Sequence, residues 1–333
     1  MPVARIATLA AAVTLGLLAA TPAQAVTRPP TEVTGGLAVP WGVGFLPDGS
    51  ALVTERDSAR ILNIRGGQAT EVQKIADAQP TGGHGGLLGL AVSPRYQSDR
   101  TVFVYYSTRT DNRIAKLRLG QPPVPLVTGI PVGVKRNGGR LAFGPDGHLY
   151  ATTGDTARPE LAQDPKSLAG KVLRLTTSGK PVLGNPFGTL VYSYGHRDPQ
   201  GLTWDRDGRL FLAEAGDAKW DELNRVLPGR NYGWPLCEGK CGDPRFVDPL
   251  VVWRTEEATP SDIAYYKGSL YVAGLVGQRL WQVPLRDGRT GTPKALYNKE
   301  FGRLRTVEPA PDGSLWITTS NAPAPDRILR SEG

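Results

Sequence analysis

The sequence predicts an all-β protein that closes into a six-bladed β-propeller of four-stranded antiparallel blades. Three observations predict this fold class. A short unit, consisting of a tight turn and a run of alternating apolar residues, occurs six times. The copies are spaced like the blades of a propeller. The composition, with 41 Gly and 29 Pro, suits a chain of many turns and few helices.

The first half of the repeated unit is a turn that leads into a strand. Its Asp-Gly pairs supply the backbone conformations that tight hairpin turns need. Counted at positions 48, 99, 146, 207, 267 and 312, the copies are separated by 51, 47, 61, 60 and 45 residues. Six units of this length can stack radially and bury their flanks when the ring closes. The copies span residues 47–53, 97–103, 145–150, 206–211, 266–271 and 311–316.

The second half of the unit is a strand that begins at or next to a basic residue. Its alternation has a period of two, so the two halves together predict a hairpin. Extra residues in a propeller gather in loops at one end of the channel, where ligands bind. We therefore expect functional residues in the long segments 184–201 and 214–262. The second-half strands begin at Arg60, Arg113, Lys171, Asn224, Arg279 and Arg327.

Residues 1–25 resemble an export signal that precedes a single domain at residues 26–333. Arg5 provides a basic start, residues 6–20 are apolar, and the segment ends in the small-residue pattern that signal peptidase cleaves. We therefore expect cleavage near Ala25 and a secreted protein, either extracellular or periplasmic. The sequence contains no second long apolar run, so we expect no membrane anchor in the mature chain.

The formal net charge of +8 favours acidic partners or an anionic ligand. The basic residues are scattered and form no block of the kind that binds nucleic acid, so we expect no nucleic-acid partner. The sequence does not indicate the oligomeric state.

The two cysteines, Cys237 and Cys241, are four residues apart. In an oxidising compartment this spacing predicts a local disulfide that closes a tight loop. A metal-binding pair or two free thiols is the alternative, although no other Cys and no nearby His completes a metal site.

Five segments contain more than the blade pattern. They include a Gly-rich loop, an Asn-Gly-Gly-Arg string, the string GHRDPQGL, the string NYGWP and an Arg-Leu-Arg triplet. The segments are residues 83–90, 137–147, 194–202, 220–224 with 231–235, and 302–305. Together they resemble the soluble glucose/sorbosone dehydrogenase family, the aldose sugar dehydrogenases that use pyrroloquinoline quinone (PQQ) with calcium. The resemblance extends from about Ala38 to Leu329.

The resemblance implies an oxidoreductase that converts the C1 hydroxyl of aldose sugars to lactones and passes electrons to an external acceptor. PQQ carries three carboxylates, and Arg offers the planar bidentate contacts that such groups need. Residues i and i+2 of a strand face the same way, so Arg303 and Arg305 suit one ligand, although this pattern is also typical of a solvated strand face. The positions matched to the cofactor site are His84, Arg197, Asp198, Gln200, Gly216, Asp217, Arg303 and Arg305.

The resemblance also implies calcium, a hard cation that prefers oxygen ligands. The main-chain oxygens of Gly216 and Asp217 match the ligands of a calcium ion that bridges to the cofactor. Glu222 and the carbonyl of Tyr232 match the ligands of a separate structural calcium. Without the resemblance, Glu222 would be taken as an ordinary surface acid.

Four residues depart from the family pattern. Arg136 stands where the family has the His that takes the C1 hydroxyl proton, and an Arg cannot accept a proton. Val276 stands where a Lys or Arg is common. Asp198 replaces an Asn, and its carboxylate would repel an anionic quinone. His84 stands where Gln or Glu is usual; it is a candidate substitute base, the alternative being a loop histidine that only hydrogen-bonds.

These departures support a second hypothesis, a catalytically impaired propeller that binds a carbohydrate or another macromolecule. A third hypothesis, a metal-dependent lactonase, rests on analogy of fold alone. Sugar oxidation remains the leading expectation. The sequence does not indicate the preferred sugar or the electron acceptor.

Overall fold

The computed structural model describes residues 1, 3, 4 and 29–333, and it confirms the predicted fold class. Six antiparallel sheets form the ring of a six-bladed propeller. The predicted signal peptide, residues 1–25, lies outside the described residues except at positions 1, 3 and 4. None of the helices in the described part of the chain has the length and apolar character needed to cross a membrane.

The described chain contains 25 strands and two short helical segments. The first strands are β1 Thr31–Leu37, β2 Pro40–Phe45, β3 Ala51–Glu55, β4 Arg60–Arg65, β5 Gln68–Lys74, β6 Leu87–Val92, β7 Val102–Ser107, β8 Asn112–Leu117, β9 Val124–Ile130, β10 Leu141–Phe143, β11 Leu149–Thr153, β12 Lys171–Leu175 and β13 Val191–Tyr194. The remaining strands are β14 Pro199–Trp204, β15 Leu210–Glu214, β16 Trp220–Val226, β17 Val251–Arg254, β18 Pro260–Tyr266, β19 Ser269–Gly274, β20 Arg279–Arg286, β21 Arg289–Thr290, β22 Lys294–Leu296, β23 Leu304–Pro309, β24 Leu315–Thr319 and β25 Asp326–Ser331. The helical segments are α1 Tyr96–Asp99 and a 3₁₀ turn, Pro159–Ala162.

Consecutive strands pair within each blade. The first four blades are β2–β5, β6–β9, β10–β13 and β14–β17. The fifth blade is built from β18, β19 and β20, and the short strands β21 and β22 both pair with β20. The first strands of neighbouring blades contact one another around the whole ring, so they enclose the central channel.

The N-terminal strand completes the sixth blade. β1 pairs antiparallel with β25, placing Thr31 opposite Arg330 and Leu37 opposite Asp326. The sixth blade therefore has β23 on the inside and β1 on the outside. The ring is closed by hydrogen bonds between the two ends of the domain.

The hydrophobic core is divided among the interfaces between blades. Each of six apolar clusters combines buried side chains from neighbouring blades. Between the fourth and fifth blades, for example, Phe211 and Leu223 pack with Ile263 and Val272. This arrangement follows from the blade itself, because each sheet must bury a face against its neighbour.

The second repeat differs from the predicted hairpin turn. The short helix α1 occupies this place, and Arg100 after it has a φ of 54°. This left-handed conformation is the one that Gly provides in the other repeats. Asp99 stabilises the turn by accepting hydrogen bonds from the main-chain N–H of Thr101 and the hydroxyl of Ser93. The chain therefore makes the turn in this repeat without Gly.

Cys237 and Cys241 form the predicted disulfide. Residues 29–333 contain no free cysteine. The alternatives of a metal-binding pair or free thiols are therefore wrong. The bridge lies in the long connection between β16 and β17, at the same end of the channel as the site described next.

Candidate functional site

A cavity of about 460 Å³ opens at one end of the channel. This volume lies in the range typical of small-molecule sites. The residues that line it come from all six blades and the loops leading into them, so they are brought together only by closure of the ring. Those that carry its polar chemistry are Arg56, His84, Asp198, Gln200, Arg303 and Arg305.

The wall of this cavity is cationic. Arg56, Arg303 and Arg305 contribute three guanidinium groups, and Asp198 contributes one carboxylate. Arg56 is additionally held by Asp57, with 2.7 Å between the guanidinium Nε and the carboxylate. An excess of positive charge in a concave site raises the local concentration of anions.

Arg305 is the most constrained of these cations. Only 7% of the residue is exposed, and its Nε has no hydrogen-bond partner in the part of the chain that the structure describes. Burial lowers the pKa of Arg305 to about 9; the charges of Arg56, Arg140 and Arg303 act in the same direction, and Asp198 opposes them. A buried cation of this kind is costly, so an anion in the cavity would stabilise it.

Asp198 and Gln200 form a polar pair in the lining of the cavity. The Asp198 carboxylate accepts hydrogen bonds from the Gln200 amide at 2.8 Å and from the main-chain N–H of Gly138 at 3.3 Å. The side-chain oxygen of Gln200 is buried and has no partner among the described residues. The carboxylate is therefore engaged by neutral donors, and one amide oxygen remains open to a ligand.

His84 is positioned by the loop 131–136. Its main-chain N–H donates to the carbonyl of Val134 at 2.8 Å, and its Nδ1 accepts a long hydrogen bond of 3.5 Å from the N–H of Arg136. Desolvation lowers the pKa of His84, and nearby Arg305 and Arg56 lower it further, whereas Asp198 raises it. The ring is therefore expected to be neutral near pH 7 and to offer Nε2 to a ligand.

Arg136 does not line the cavity. Its guanidinium lies 3.1 Å from the carboxylate of Asp155, which is fully buried. Asp155 also accepts hydrogen bonds of 2.8 Å from the Trp234 indole and from the N–H of Ala157. Burial raises the pKa of Asp155, and the charge of Arg136 opposes this. An ion pair thus stands where the resemblance would place a base.

Arg197 lies beside the cavity and contacts an adjoining loop. Its guanidinium donates to the carbonyls of Ala215 and Gly216, and to the carboxylate of Asp217 at 2.6 Å. It also lies over the ring of Trp234, 5.5 Å from the ring centre. Two of the three arginines predicted to hold the cofactor therefore line the cavity, and the third does not.

Glu222 and Tyr232 line a second cavity of only about 10 Å³, which is room for one water-sized group. Glu214 and Glu238 also reach it, and it adjoins the larger cavity because both share Ala215. Burial raises the pKa of Glu222 to about 8, and the charge of Glu214 adds to the effect. No group of three His, Cys, Asp or Glu side chains suited to a metal occurs within the described ranges, so a cation here would need main-chain oxygens.

Arg140 lies between the cavity of about 460 Å³ and the other half of the channel. Its guanidinium lies 3.1 Å from the buried carboxylate of Asp262 and 4.2 Å from the centre of the Trp41 ring. It also donates to the main-chain oxygen of Gln200. On its other side lies a cavity of about 640 Å³ that Glu308 lines.

Arg56, Arg140 and Asp155 were not predicted as site residues from the sequence. Arg56 follows the last residue of β3, and such strand ends are where loop residues reach a channel. Arg140 belongs to the Asn-Gly-Gly-Arg string, but nothing in the string indicates that its charge is buried. Asp155 carries no local signal beyond its position two residues after β11.

The fold and the cavity together define a β-propeller with a cationic cavity of small-molecule size at the mouth of its channel. Residues 37–330 match the family model described as Glucose / Sorbosone dehydrogenase, and the chain belongs to this family. The family membership supports sugar oxidoreductase activity.

The relatives and solved structures that are similar to this chain support its family membership. The PQQ-bound structure of aldose sugar dehydrogenase from Streptomyces coelicolor is 46% identical, covers 94% of this chain and 99% of its own, and has a TM-score of 0.88. Aldose sugar dehydrogenase of Escherichia coli is 28% identical over 85% of this chain and 87% of its own length. Quinoprotein glucose dehydrogenase B of Acinetobacter calcoaceticus is 30% identical over 63% of this chain and 52% of its own length.

Proposed function

We propose that this chain is an exported oxidoreductase that binds PQQ and calcium and oxidises the C1 hydroxyl of aldose sugars to lactones. The electrons pass to an external acceptor. The observation that carries the proposal is Arg305, a buried guanidinium whose Nε has no partner among residues 29–333 and which faces a cationic cavity of suitable size.

The cavity residues fit the chemistry of PQQ. Its three carboxylates match the three guanidinium groups of Arg56, Arg303 and Arg305, which can form charge-assisted hydrogen bonds. The open Nε of Arg305 and the open amide oxygen of Gln200 are buried polar atoms that a polar ligand would satisfy. When bound, PQQ would supply the two-electron oxidation that side chains cannot perform.

We assign to His84 the role of taking the proton of the C1 hydroxyl. The ring lines the cavity, and its lowered pKa keeps it neutral, as a base must be. With Nδ1 accepting from Arg136, the neutral ring carries its proton on Nε2, so base action at Nε2 requires the other tautomer. The contact that this tautomer gives up is long, at 3.5 Å, and therefore weak. Arg136 itself would act only as a fixed positive charge paired with Asp155.

Calcium is assigned to the oxygens of Gly216 and Asp217, with a second ion at Glu222 and Tyr232. The loop and the small cavity offer oxygen atoms, which suit a hard cation. The guanidinium of Arg197 donates to the carbonyl of Gly216 and to the side chain of Asp217. A cation bound at these oxygens would therefore require Arg197 to move away from them.

Export is supported by two features. The N-terminal residues have the composition of a signal peptide with cleavage near Ala25. The disulfide between Cys237 and Cys241 is the kind of bond that persists in an oxidising compartment. Comparing the N terminus and location of the protein produced with and without residues 1–25 tests this assignment.

Reconstitution tests the function directly. The purified protein is titrated with PQQ in the presence of calcium, and the quinone absorbance is recorded before and after adding aldoses. Saturable binding followed by sugar-dependent reduction is expected. Absence of PQQ binding would overturn the proposal, and repeating the titration with a chelator measures the calcium requirement.

The same titration tests a second candidate function, a propeller that binds its ligand without turnover. The ion pair between Arg136 and Asp155 and the apolar Val276 in the cavity wall favour this candidate. Binding without reduction by any aldose would support it. For the base, His84→Ala is expected to keep PQQ binding within a few-fold and to lose most sugar oxidation; unchanged oxidation would remove His84 from that role.

A further inference from the structure

Glu238 makes an unusual set of contacts with the loop beside the cavity. A single carboxylate oxygen, Oε1, accepts hydrogen bonds from four successive main-chain N–H groups. The N···O distances are 2.6, 3.0, 3.2 and 3.3 Å, from Asp217, Ala218, Lys219 and Trp220. Successive N–H groups that converge on one point form an anion-binding nest, and here the anion belongs to the protein itself.

The nest lies in the turn that joins β15 to β16. This turn is tight, because a Cβ on Gly216 would overlap the carbonyl oxygen of Trp220. The N–H of Gly216 donates to the carboxylate of Asp221 at 2.8 Å. With four further N–H groups bound by Glu238, the carbonyl oxygens on the other side of the same peptide units are held in place.

The segment that carries Glu238 is fixed on both sides. The Cys237–Cys241 disulfide closes the loop around it. The N–H of Gly239 donates to Glu222 at 2.7 Å, and the N–H of Cys241 donates to Asp248 at 2.7 Å. The carboxylate is therefore presented by a braced loop from elsewhere in the chain.

We propose that Glu238 is a positioning residue that holds the 215–217 backbone in the geometry needed for cofactor binding. The carbonyls of Ala215 and Gly216 accept hydrogen bonds from the guanidinium of Arg197. The main-chain oxygens of Gly216 and Asp217 are those assigned to calcium, so the Gly216 carbonyl belongs to both sets. The proposal rests on the proposed function, since it concerns the same site. It adds a residue that touches neither cofactor nor substrate and acts through the main chain.

Glu238→Ala tests the proposal, with PQQ affinity in the presence of calcium as the readout. Loss of the anion leaves four N–H groups without their acceptor, so we expect PQQ to bind about tenfold more weakly or worse. Added formate, a small carboxylate that the empty nest can bind, is expected to restore much of the affinity to this variant and to change the wild type little. Glu257→Ala is the matched control, because within residues 29–333 that carboxylate accepts a single main-chain N–H, from Arg254 at 3.0 Å.

The outcomes separate the two proposals. If the wild-type protein does not bind PQQ, both fall. If the wild type and Glu238→Ala bind PQQ equally well, only the role of Glu238 is overturned. A weakened variant that formate does not rescue also counts against the nest, since a general loss of structure would behave in that way. Should Glu238→Ala fail to fold, Glu238→Gln, which keeps the shape and removes the charge, is expected to weaken binding in the same titration, and unchanged affinity would overturn the role.

Discussion

At the scale of single residues, the cavity contains a buried positive charge that lowers the stability of the ligand-free protein and that an anionic ligand would pair. Arg305 is buried, its Nε is unpaired within the described chain, and other arginines surround it. Arg140 is equally buried but has an acidic partner in Asp262. Buried arginines thus occur here in two settings: the charge of Arg140 is paired by a carboxylate of the protein, and the Nε of Arg305 has no partner in the described chain.

The unpaired state of Arg305 predicts opposite effects of one substitution on stability and on binding. Arg305→Met removes a buried cation repelled by its neighbours, so the ligand-free protein is expected to gain about 1 to 2 kcal/mol in free energy of unfolding. PQQ is expected to bind about 10- to 100-fold more weakly, because a charge-assisted hydrogen bond is lost. Urea unfolding and PQQ titration measure the two effects.

Arg303→Met provides the control, because Arg303 is exposed and should change stability little. A variant at position 305 that lost stability and kept its PQQ affinity would show that Arg305 supports the fold instead of the ligand.

The sequence predicted that these residues lie near one site, but it predicted only some of the directions in which their side chains point. Arg303 directly precedes β23 and Arg305 is its second residue, and their spacing of two places both at the cavity, as predicted. Arg197 is adjacent in sequence to Asp198, which lines the cavity, yet its guanidinium donates to the carbonyls of Ala215 and Gly216 and to the carboxylate of Asp217. The direction of the Arg197 side chain depends on a loop from another part of the blade, so no local sequence pattern could indicate it.

At the scale of elements, buried polar side chains fasten the loops that the repeat pattern leaves undefined. Lys171 begins β12 and is fully buried. Its ammonium group donates to the carbonyls of Leu161, Ala162 and Ala169 at 2.8, 3.1 and 2.6 Å. These carbonyls belong to the connection from β11 to β12, which also contains Asp155.

Lys171→Met is expected to lower the free energy of unfolding by about 2 to 4 kcal/mol, because three buried carbonyls lose their donor. Urea denaturation measures the change. Lys180→Met, at an exposed position, should lie within about 0.5 kcal/mol of the wild type. Equal stability of the two variants would contradict the conclusion that Lys171 holds the connection between β11 and β12 in place.

The sequence repeats predicted where the strands of the blades lie. They did not predict which two strands pair to close the ring. Turn and strand signals are local, so the strands that start at Arg60, Lys171 and Arg279 lie where the pattern places them. The pairing of β1 with β25 joins residues about 290 positions apart, and the sequence of β1 carries no sign of its partner. Closure of the ring is a property of the whole set of blades.

At the scale of the whole molecule, the channel axis is where charges from different blades meet. Glu308 on β23 and Asp262 on β18 both line the cavity on the far side of Arg140. Burial raises the pKa of Glu308 to about 8, with Asp262 adding to the effect and Arg140 opposing it. Burial also raises the pKa of Asp262 to about 6, again opposed by Arg140.

These shifts predict a pH dependence of stability. The folded protein keeps a proton on Glu308 up to about pH 8, whereas the unfolded chain releases it near its ordinary pKa of 4.5. Stability is therefore lost as the pH rises between these values. Because Glu308 is partly exposed to the cavity, Glu308→Gln is expected to gain only about 1 to 2 kcal/mol at pH 8 and nothing at pH 4.5.

Urea unfolding at the two pH values checks this, with the exposed Glu300→Gln as the control. A gain for Glu308→Gln that was the same at both pH values would show that its protonation does not change between the folded and unfolded chain.

Arg140 links most of the ring at the axis. From the third blade it donates to carbonyls of Trp41, Gln200 and Ser261, which belong to the first, fourth and fifth blades. It also donates to the hydroxyl of Thr306 in the sixth blade, at 3.4 Å. Five of the six blades therefore share one guanidinium, and its contacts exist only in the closed ring.

Arg140→Met is accordingly expected to destabilise the whole domain, by about 3 to 5 kcal/mol, because it leaves the Asp262 carboxylate buried without its cation. The unfolding transition should stay single, since the lost contacts belong to the ring and not to one blade. Adding Asp262→Asn removes the stranded charge, so the double variant is expected to be more stable than Arg140→Met alone. Urea denaturation of the four proteins of this cycle measures the coupling. If the effects of the two substitutions simply added, the ion pair at the axis would not be what Arg140 contributes to the ring.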